Sequence, residues 1–203
     1  MGRRAGVTKE QTRADVLDAA AEVFATRGYD GASISGIAAA AGVTKGAIYG
    51  HYPSKAELFI AVIREFGERE FRVLAGGVDE HGEPVSLDAF VRRAGNSYAR
   101  PRSPVGALLV EAIVASRRHG EIAEMIRGWL LEGEGAMGAA IDQAQGEGLV
   151  TADVGATELA RFSTMVALGA RLAGVLDLPP VDEARWSTVI DELIGGLIRR
   201  PDR

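Results

Sequence analysis

Residues 41–58, AGVTKGAIYGHYPSKAEL, set a small apolar turn beside a crowd of hydrogen-bonding side chains. Gly42 offers the positive φ that stops a helix, and Thr44 follows as the natural start of the next. Upstream, Ser33 is a plausible N-cap for a short helix whose Ile34, Ile37, Ala38 and Ala41 share one face. Downstream, Ser54-Lys-Ala-Glu57 is a capping box opening a long helix on Leu58, Phe59, Val62, Ile63 and Phe66. A helix ending at Ala41, a turn through Gly42 and Val43, and a helix starting at Thr44 together predict a helix-turn-helix. In that motif the second helix enters a DNA major groove N-terminus first.

The residue types suit that placement. Thr44 and Lys45 sit at the helix start, where free N–H groups and partial positive charge favour phosphates. Gly46 and Ala47 carry so little side chain that the backbone can close on a groove. Lys45 and Tyr49 are four apart and share a face, while Val43, Ala47 and Ile48 can turn inward. Tyr49 and His51 offer phosphate hydrogen bonds from the far end, and Lys55 offers another from the next helix. Tyr52 is read as packing. Ahead of this motif, residues 12–27 carry Val16, Leu17, Ala20, Val23 and Phe24 as one helical stripe closed by Gly28.

Helical periodicity continues after the glycine-rich stretch AGGVDEHGEP, residues 75–84, which reads as a loop and a domain boundary. The expected division is residues 1–54 as the helix-turn-helix domain, 55–74 as a connecting helix and 75–203 as a second helical domain. Helices are predicted over 86–99, 104–118, 120–147, 156–175 and 182–199; without period-two alternation, the fold class is all-α. The last two helices are apolar over wide faces, with Leu159, Phe162, Met165, Val166 and Leu172, then Trp186, Val189, Ile190, Leu193, Ile194 and Leu197. Such helices need burial on more than one side. Phe90, Tyr98, Leu108, Met125, Trp129, Phe162 and Met165 either fill a core or line a ligand pocket, core being the commoner fate of such residues. Arg161 needs a partner, either an acidic side chain or an anionic ligand. GEGAMG, residues 133–138, matches the dinucleotide fingerprint letter by letter but follows a helical pattern rather than a strand. Its glycines are expected to serve close packing or a kink.

Composition narrows the function. The chain has 203 residues, 47% hydrophobic and 25% charged, and no cysteine, so thiolate metal sites, disulfides and cysteine nucleophiles are excluded. Residues 1–60 hold seven basic against six acidic residues, all three lysines among them; the remainder holds 16 against 22, within a net charge of −5. Three scattered histidines and the lack of a Walker loop or paired carboxylates argue against an enzyme, a metal or a cofactor. No apolar run of membrane-spanning length occurs, and the expected location is the cytoplasm.

The stretch GASISGIAAAAGVTKGAIYGHYPSKAELF, with VLDAAAEVFATRGYDGAS before it, resembles the DNA-binding domain of the TetR family of bacterial transcriptional regulators over about residues 11–66. The resemblance implies that Ser33, Thr44, Lys45, Gly46, Tyr49, His51 and Lys55 stand where family members contact DNA. Gly50 and Tyr52 depart from the family pattern, the first removing one contact. It further implies a homodimeric, ligand-responsive repressor bound to a palindromic double-stranded operator and released by a small, largely apolar effector. The pocket would fall to Phe90, Tyr98, Leu108, Met125, Trp129, Arg161, Phe162 and Met165. The dimer interface would fall to Leu159, Val166, Ala170, Leu172, Trp186, Val189, Ile190, Leu193 and Leu197. The alternative is a helical small-molecule carrier or interaction protein that does not bind DNA.

Overall fold

The stripe Val16, Leu17, Ala20, Val23 and Phe24 is the buried face of α1 (Lys9–Gly31). A computed structural model describes residues 9–75, 87–99 and 104–198. Along it follow α2 (Ile34–Ala41), α3 (Lys45–Tyr49), α4 (Lys55–Ala75), α5 (Leu87–Ser97), α6 (Pro104–Ser116), α7 (Gly120–Gly146), α8 (Ala156–Val175) and α9 (Glu183–Gly195). Among the described residues no strand forms. An isolated antiparallel bridge joins Val150 to Ile198, and Thr151 N–H donates to the Leu197 carbonyl at 2.9 Å. The loop expected at 75–84 lies, from residue 76 onward, outside the described residues.

The helices gather into two compact units that do not follow chain order. One contains Met1–Glu68 with Ala107–Arg127, and the other contains Arg69–Gly106 with Gly128–Arg203. Thus α4 has residues in both.

In the first unit Phe24, Leu17, Ile37, Ile48, Leu58, Phe59, Ile63, Leu108 and Ile122 are fully buried. Gly28 shapes the end of α1. It does not stop the helix outright, as its sequence position suggests, but takes φ 67° and ψ 173°, after which one more turn forms. That conformation is almost confined to glycine. A Cβ there would also stand 3.0 Å from Glu111 Oε1, and that same oxygen accepts the Tyr29 N–H at 2.6 Å. Glu111 is the single charge on an otherwise apolar α6. Its carboxylate supplies the acceptor that the break in α1 took away.

Two further contacts fix this corner. Lys55 Nζ donates to the Tyr29 carbonyl at 2.8 Å and the Ala32 carbonyl at 3.1 Å, and lies 4.3 Å from the Tyr29 ring centre. A cation over exposed carbonyls at a helix C-terminus answers both their unmet acceptors and the negative end of the dipole. Next to it, Asp30 accepts from Arg118 and, at 2.7 Å, pairs with His119 Nε2. The His119 hydrogen bond, with the Arg118 charge beside it, holds the Asp30 carboxyl below its ordinary value.

In the second unit α9 lies very close to α5. A Cβ on Gly95 would come within 2.8 Å of Ile190 Cγ2, and the bare backbone there accepts the Trp186 indole N–H at 2.9 Å. Arg92 on α5 pairs with Asp191 on α9. At the α7–α8 turn, Gln145 Nε2 donates to the carbonyls of Thr151 and Val154 at 2.7 and 2.8 Å. The 133–138 glycines lie inside α7, which removes the strand-and-loop context a dinucleotide would need. A Cβ at Gly133, Gly135 or Gly138 would meet no atom within 4 Å, so the close packing expected of them is not found within this subunit.

Replacing Gly28 by Ala should destabilise the protein by about 1–3 kcal/mol, since the side chain meets both an unfavourable backbone region and Glu111; urea unfolding of the full chain measures it. Asp30 has a folded pKa below its unfolded value of 3.8, so its contribution is present above that pH and fades as pH falls through the lower folded value. Asp30→Asn should therefore flatten the acid limb of a melting-temperature profile below about pH 4 and leave its neutral-to-alkaline shape alone.

Candidate nucleic-acid interface

Ser33, extended at φ −129° and ψ 146°, caps α2 by accepting the Gly36 N–H at 3.1 Å. The helix ends in a left-handed Gly42 (φ 67°, ψ 28°). There Val43 N–H bonds the Ala38 carbonyl at 3.0 Å and Gly42 N–H the Ala39 carbonyl at 3.3 Å. This pair is the Schellman closure, and it turns the chain sharply. Thr44, again extended, caps α3 by accepting the Ala47 N–H at 3.2 Å. The turn is therefore built entirely from local hydrogen bonds.

Helix α3 is only five residues long. Ile48 anchors it, fully buried, with Val43 and Ala47 half-buried beside it. Beyond its end, Tyr52 N–H returns to the Ile48 carbonyl at 2.9 Å and the Tyr52 ring is buried, as packing rather than contact. The opposite side is open: Thr44, Lys45, Gly46 and Gly50 are exposed, and Tyr49 is 51% exposed. Gly50 holds an ordinary right-handed conformation, and a Cβ there would make only normal contacts with carbonyls at 3.4 and 3.6 Å, so its bareness keeps the surface flat and is no backbone necessity. His51 is half-buried, its ring 6.2 Å from that of Tyr52. Ser54 accepts the Glu57 N–H at 3.1 Å and so starts α4, as the capping box predicts.

Of the eight residues read as DNA contacts, Thr44, Lys45, Gly46, Ala47 and Tyr49 lie together on α3 or its cap, with His51 just after. Ser33 and Thr44 have their hydroxyls engaged as caps. Lys55 differs from expectation, because two of its three ammonium protons are committed to Tyr29 and Ala32 and a single N–H remains for a phosphate. What the sequence missed is the support: Glu111, Asp30, Arg118 and His119 hold the end of α1. A lone acid on an apolar helix was the available signal for Glu111, by the reasoning already applied to Arg161.

Residues 16–62 match the family described as bacterial regulatory proteins, tetR family, and the match covers the buried stripe of α1, the whole turn and the start of α4. Residues 16–62 are therefore similar to the DNA-binding domain of TetR-family regulators. The transcriptional regulator SrpR of Pseudomonas putida is 43% identical over 63 residues, 31% of this chain and 30% of that protein, so the match spans under a third of that relative's length. Regulator UidR of Escherichia coli K12 is 24% identical over 192 residues, covering 93% of this chain and 94% of its own. The solved structure of Salmonella enterica GusR superposes with a TM-score of 0.70 at 24% identity, over 93% of this chain and 98% of that one. The fold shared with GusR thus covers 93% of the chain.

Residues expected to line a TetR-type effector pocket do not converge as a set. Leu108 is a core residue of the first unit, which also holds Met125. In the second unit Phe90 meets Phe71 edge to face at 5.8 Å, and Trp129 is half-buried. Arg161 has an acidic partner, Glu134, at 2.6 Å, so it needs no anion from outside. Phe162 and Met165 are 56% and 60% exposed, on the surface rather than around a cavity. Tyr98 lies near Arg171 and Glu70. A crevice of about 480 Å³ does occur in this unit, but Asn96, Ser97, Ala99, Glu183 and Ser187 line it, none of them anticipated.

Of the interface set, Val166, Leu172, Val189 and Leu193 are exposed, and Leu159, Ala170 and Leu197 are half-buried. Ile190 and Trp186 turn inward onto α5 instead, through the Gly95 contact. Among the described residues no group of three or more acidic or histidine side chains stands close enough to hold a metal ion, and no helix is long and apolar enough to cross a membrane.

Thr44→Ala should lower stability by about 1 kcal/mol through loss of the cap. Ile48→Ala, which empties the one deep anchor of α3, should cost about 2–5 kcal/mol. Denaturant midpoints of the two variants compared with wild type check both the values and their order.

Proposed function

We propose that this chain is a homodimeric, sequence-specific DNA-binding regulator of transcription of the TetR family, a repressor that leaves its palindromic operator when a small, largely apolar effector binds. The observation that carries this reading is the shape of α3: one apolar anchor on the inner side, and on the outer side a cap, a lysine, two glycines and a tyrosine standing free. Such a surface can approach a groove closely, with Lys45 and Tyr49 directed at it from one face. On a two-fold operator the two copies would lie roughly 34–36 Å apart, one helical turn of DNA.

The dimer is supported by the outer face of the last helices. On α8 and its C-cap, Phe162, Met165, Gly169, Leu172 and Leu176 are exposed at alternating spacings of three and four, the seam pattern of paired helices. On α9, Val189 and Leu193 extend the apolar surface. So large an apolar surface left to water favours association, and a second copy of the same face is its simplest cover.

Regulation then requires that the effector prefer the form that does not fit the operator. Moving the population from 99:1 to 1:99 takes a preference of about 5.5 kcal/mol. We place the effector in the second unit and take α4, with residues in both units, as the element it displaces.

Shift assays on DNA from the chain's own promoter region test the reading. Lys45→Ala and Tyr49→Ala should each weaken binding about tenfold or more with little change in melting temperature, and the lysine variant should lower the salt slope by about 1. Full-strength binding by the double variant removes α3 from the interface. Leu193→Asp should convert the dimer to monomer in sedimentation and weaken operator binding with it; an unchanged dimer moves the interface elsewhere.

A further inference from the structure

Arg171 on α8 has a guanidinium held at two nitrogens and open at the third. Nη1 donates to the Ala167 carbonyl, one turn back, at 3.2 Å, and Nη2 donates to Glu70 Oε2 on α4 at 2.9 Å. Nε is buried and has no hydrogen-bond partner among the described residues. Buried donors in folded proteins are nearly always paired, and an orphan on a cation points to an acceptor that arrives from outside the chain. The side chain is also fixed from behind. A Cβ at Gly106 of α6 would stand 3.2 Å from the Arg171 carbonyl oxygen and 3.5 Å from its Cβ, so this part of α8 is pressed against bare backbone.

Tyr98, after the end of α5, shares this neighbourhood. Burial raises its phenol pKa, with the Arg171 charge pulling it down and the Glu70 charge pushing it up. The phenol is thus a neutral donor at working pH. Helices α4, α6 and α8 and the end of α5 therefore bring one unmet N–H and one phenol to the same region of the second unit.

Charge decides the class of ligand. Glu70 already balances Arg171, so an anion would have to compete with a carboxylate at 2.9 Å. An uncharged acceptor needs only the free Nε–H. A carbonyl oxygen has two lone pairs and can take that N–H together with a phenolic O–H. We propose that Arg171 Nε, with Tyr98 as second donor, is the polar recognition point for the effector, and that the effector is an uncharged, mostly apolar molecule bearing a ketone, ester or amide carbonyl. This rests on the effector-binding reading of the second unit given above. It adds the chemical group recognised and the residues that recognise it.

The test uses full-length 15N-labelled protein, whose arginine Nε–H signals are observed directly, with Arg171 assigned by its loss in Arg171→Lys. Acetophenone, methyl benzoate and benzamide are the carbonyl probes; ethylbenzene is the control of similar size without oxygen. Carbonyl probes should shift the Arg171 signal saturably and raise the melting temperature, and ethylbenzene should leave that signal in place. Arg171→Lys should weaken carbonyl binding about tenfold or more, and Tyr98→Phe by less. Glu70→Gln guards against a merely unfolded variant: it should keep acetophenone binding and newly admit benzoate, because the cation is then unbalanced. The proposal is overturned if no carbonyl probe at millimolar concentration moves the Arg171 signal, if ethylbenzene moves it equally, or if its proton exchanges as fast as that of a solvent-exposed arginine. Probes that shift Arg171 yet never release DNA would sink the regulatory reading and keep the site. Release that survives in Arg171→Lys would do the reverse.

Discussion

A helix of five residues cannot hold itself together in water, because the cost of nucleation exceeds what one turn of hydrogen bonds returns. Everything proposed for α3 depends on how that deficit is met. The Schellman closure at Gly42 fixes its entry, Thr44 caps it, and the buried Ile48 anchors it, with α2 packed beside it. Only residues of α3 that do none of these tasks are free to face a partner. That leaves Lys45, Gly46 and Tyr49, and their exposure follows from the shortness of the element.

The same logic runs through the end of α1. Breaking α1 at Gly28 lets Tyr29 swing into an aromatic cluster, with ring centres 4.7 Å apart for Phe24 and Phe59 and 5.2 Å for Tyr29 and Phe59. It also strands the Tyr29 N–H, while the end of α1 leaves the Tyr29 and Ala32 carbonyls open. Glu111 accepts the first and Lys55 donates to the others, so two charged side chains replace the hydrogen bonds that a continuous helix would have made itself. Lys55 is thereby mainly a brace for the first unit. Its remaining N–H can still serve a phosphate, but losing this residue would disturb the fold before it disturbed recognition.

Local signals made the helices and the turn legible. Periodicity located all nine described helices, although α1 runs on past Gly28 to Gly31 and α9 ends at Gly195 rather than 199, and Ser33, Gly42, Thr44 and Ser54 perform the capping and turning roles their residue types announce. Legibility ended where partners are distant in sequence. The apolar stripe of α9 does not reveal that Ile190 and Trp186 belong to α5 while Val189 and Leu193 stay open, because that division is set by Gly95, 91 residues before Trp186. Phe162 and Met165 likewise look like core by type, and only the packing of α8 shows them outside. Arg161 and Arg171 are both cations on a mostly apolar helix, and only the packing separates the one paired with Glu134 from the one whose Nε is unmet.

Shortness at α3 and exposure at α8 and α9 explain one another. A single five-residue helix can touch only a few groups on a duplex, and the chain outside its first 60 residues carries more acidic than basic side chains, which DNA repels. One copy would therefore bind weakly. In the proposed dimer, two copies joined through an apolar face would turn the second contact into an intramolecular event, and the effective concentration would multiply affinity by orders of magnitude without any new residue at the groove. The gain vanishes once the two α3 helices no longer match the spacing of the grooves. Under the proposed function, weak individual contacts would make release controllable: an effector would need only to alter geometry, because neither half would hold on alone.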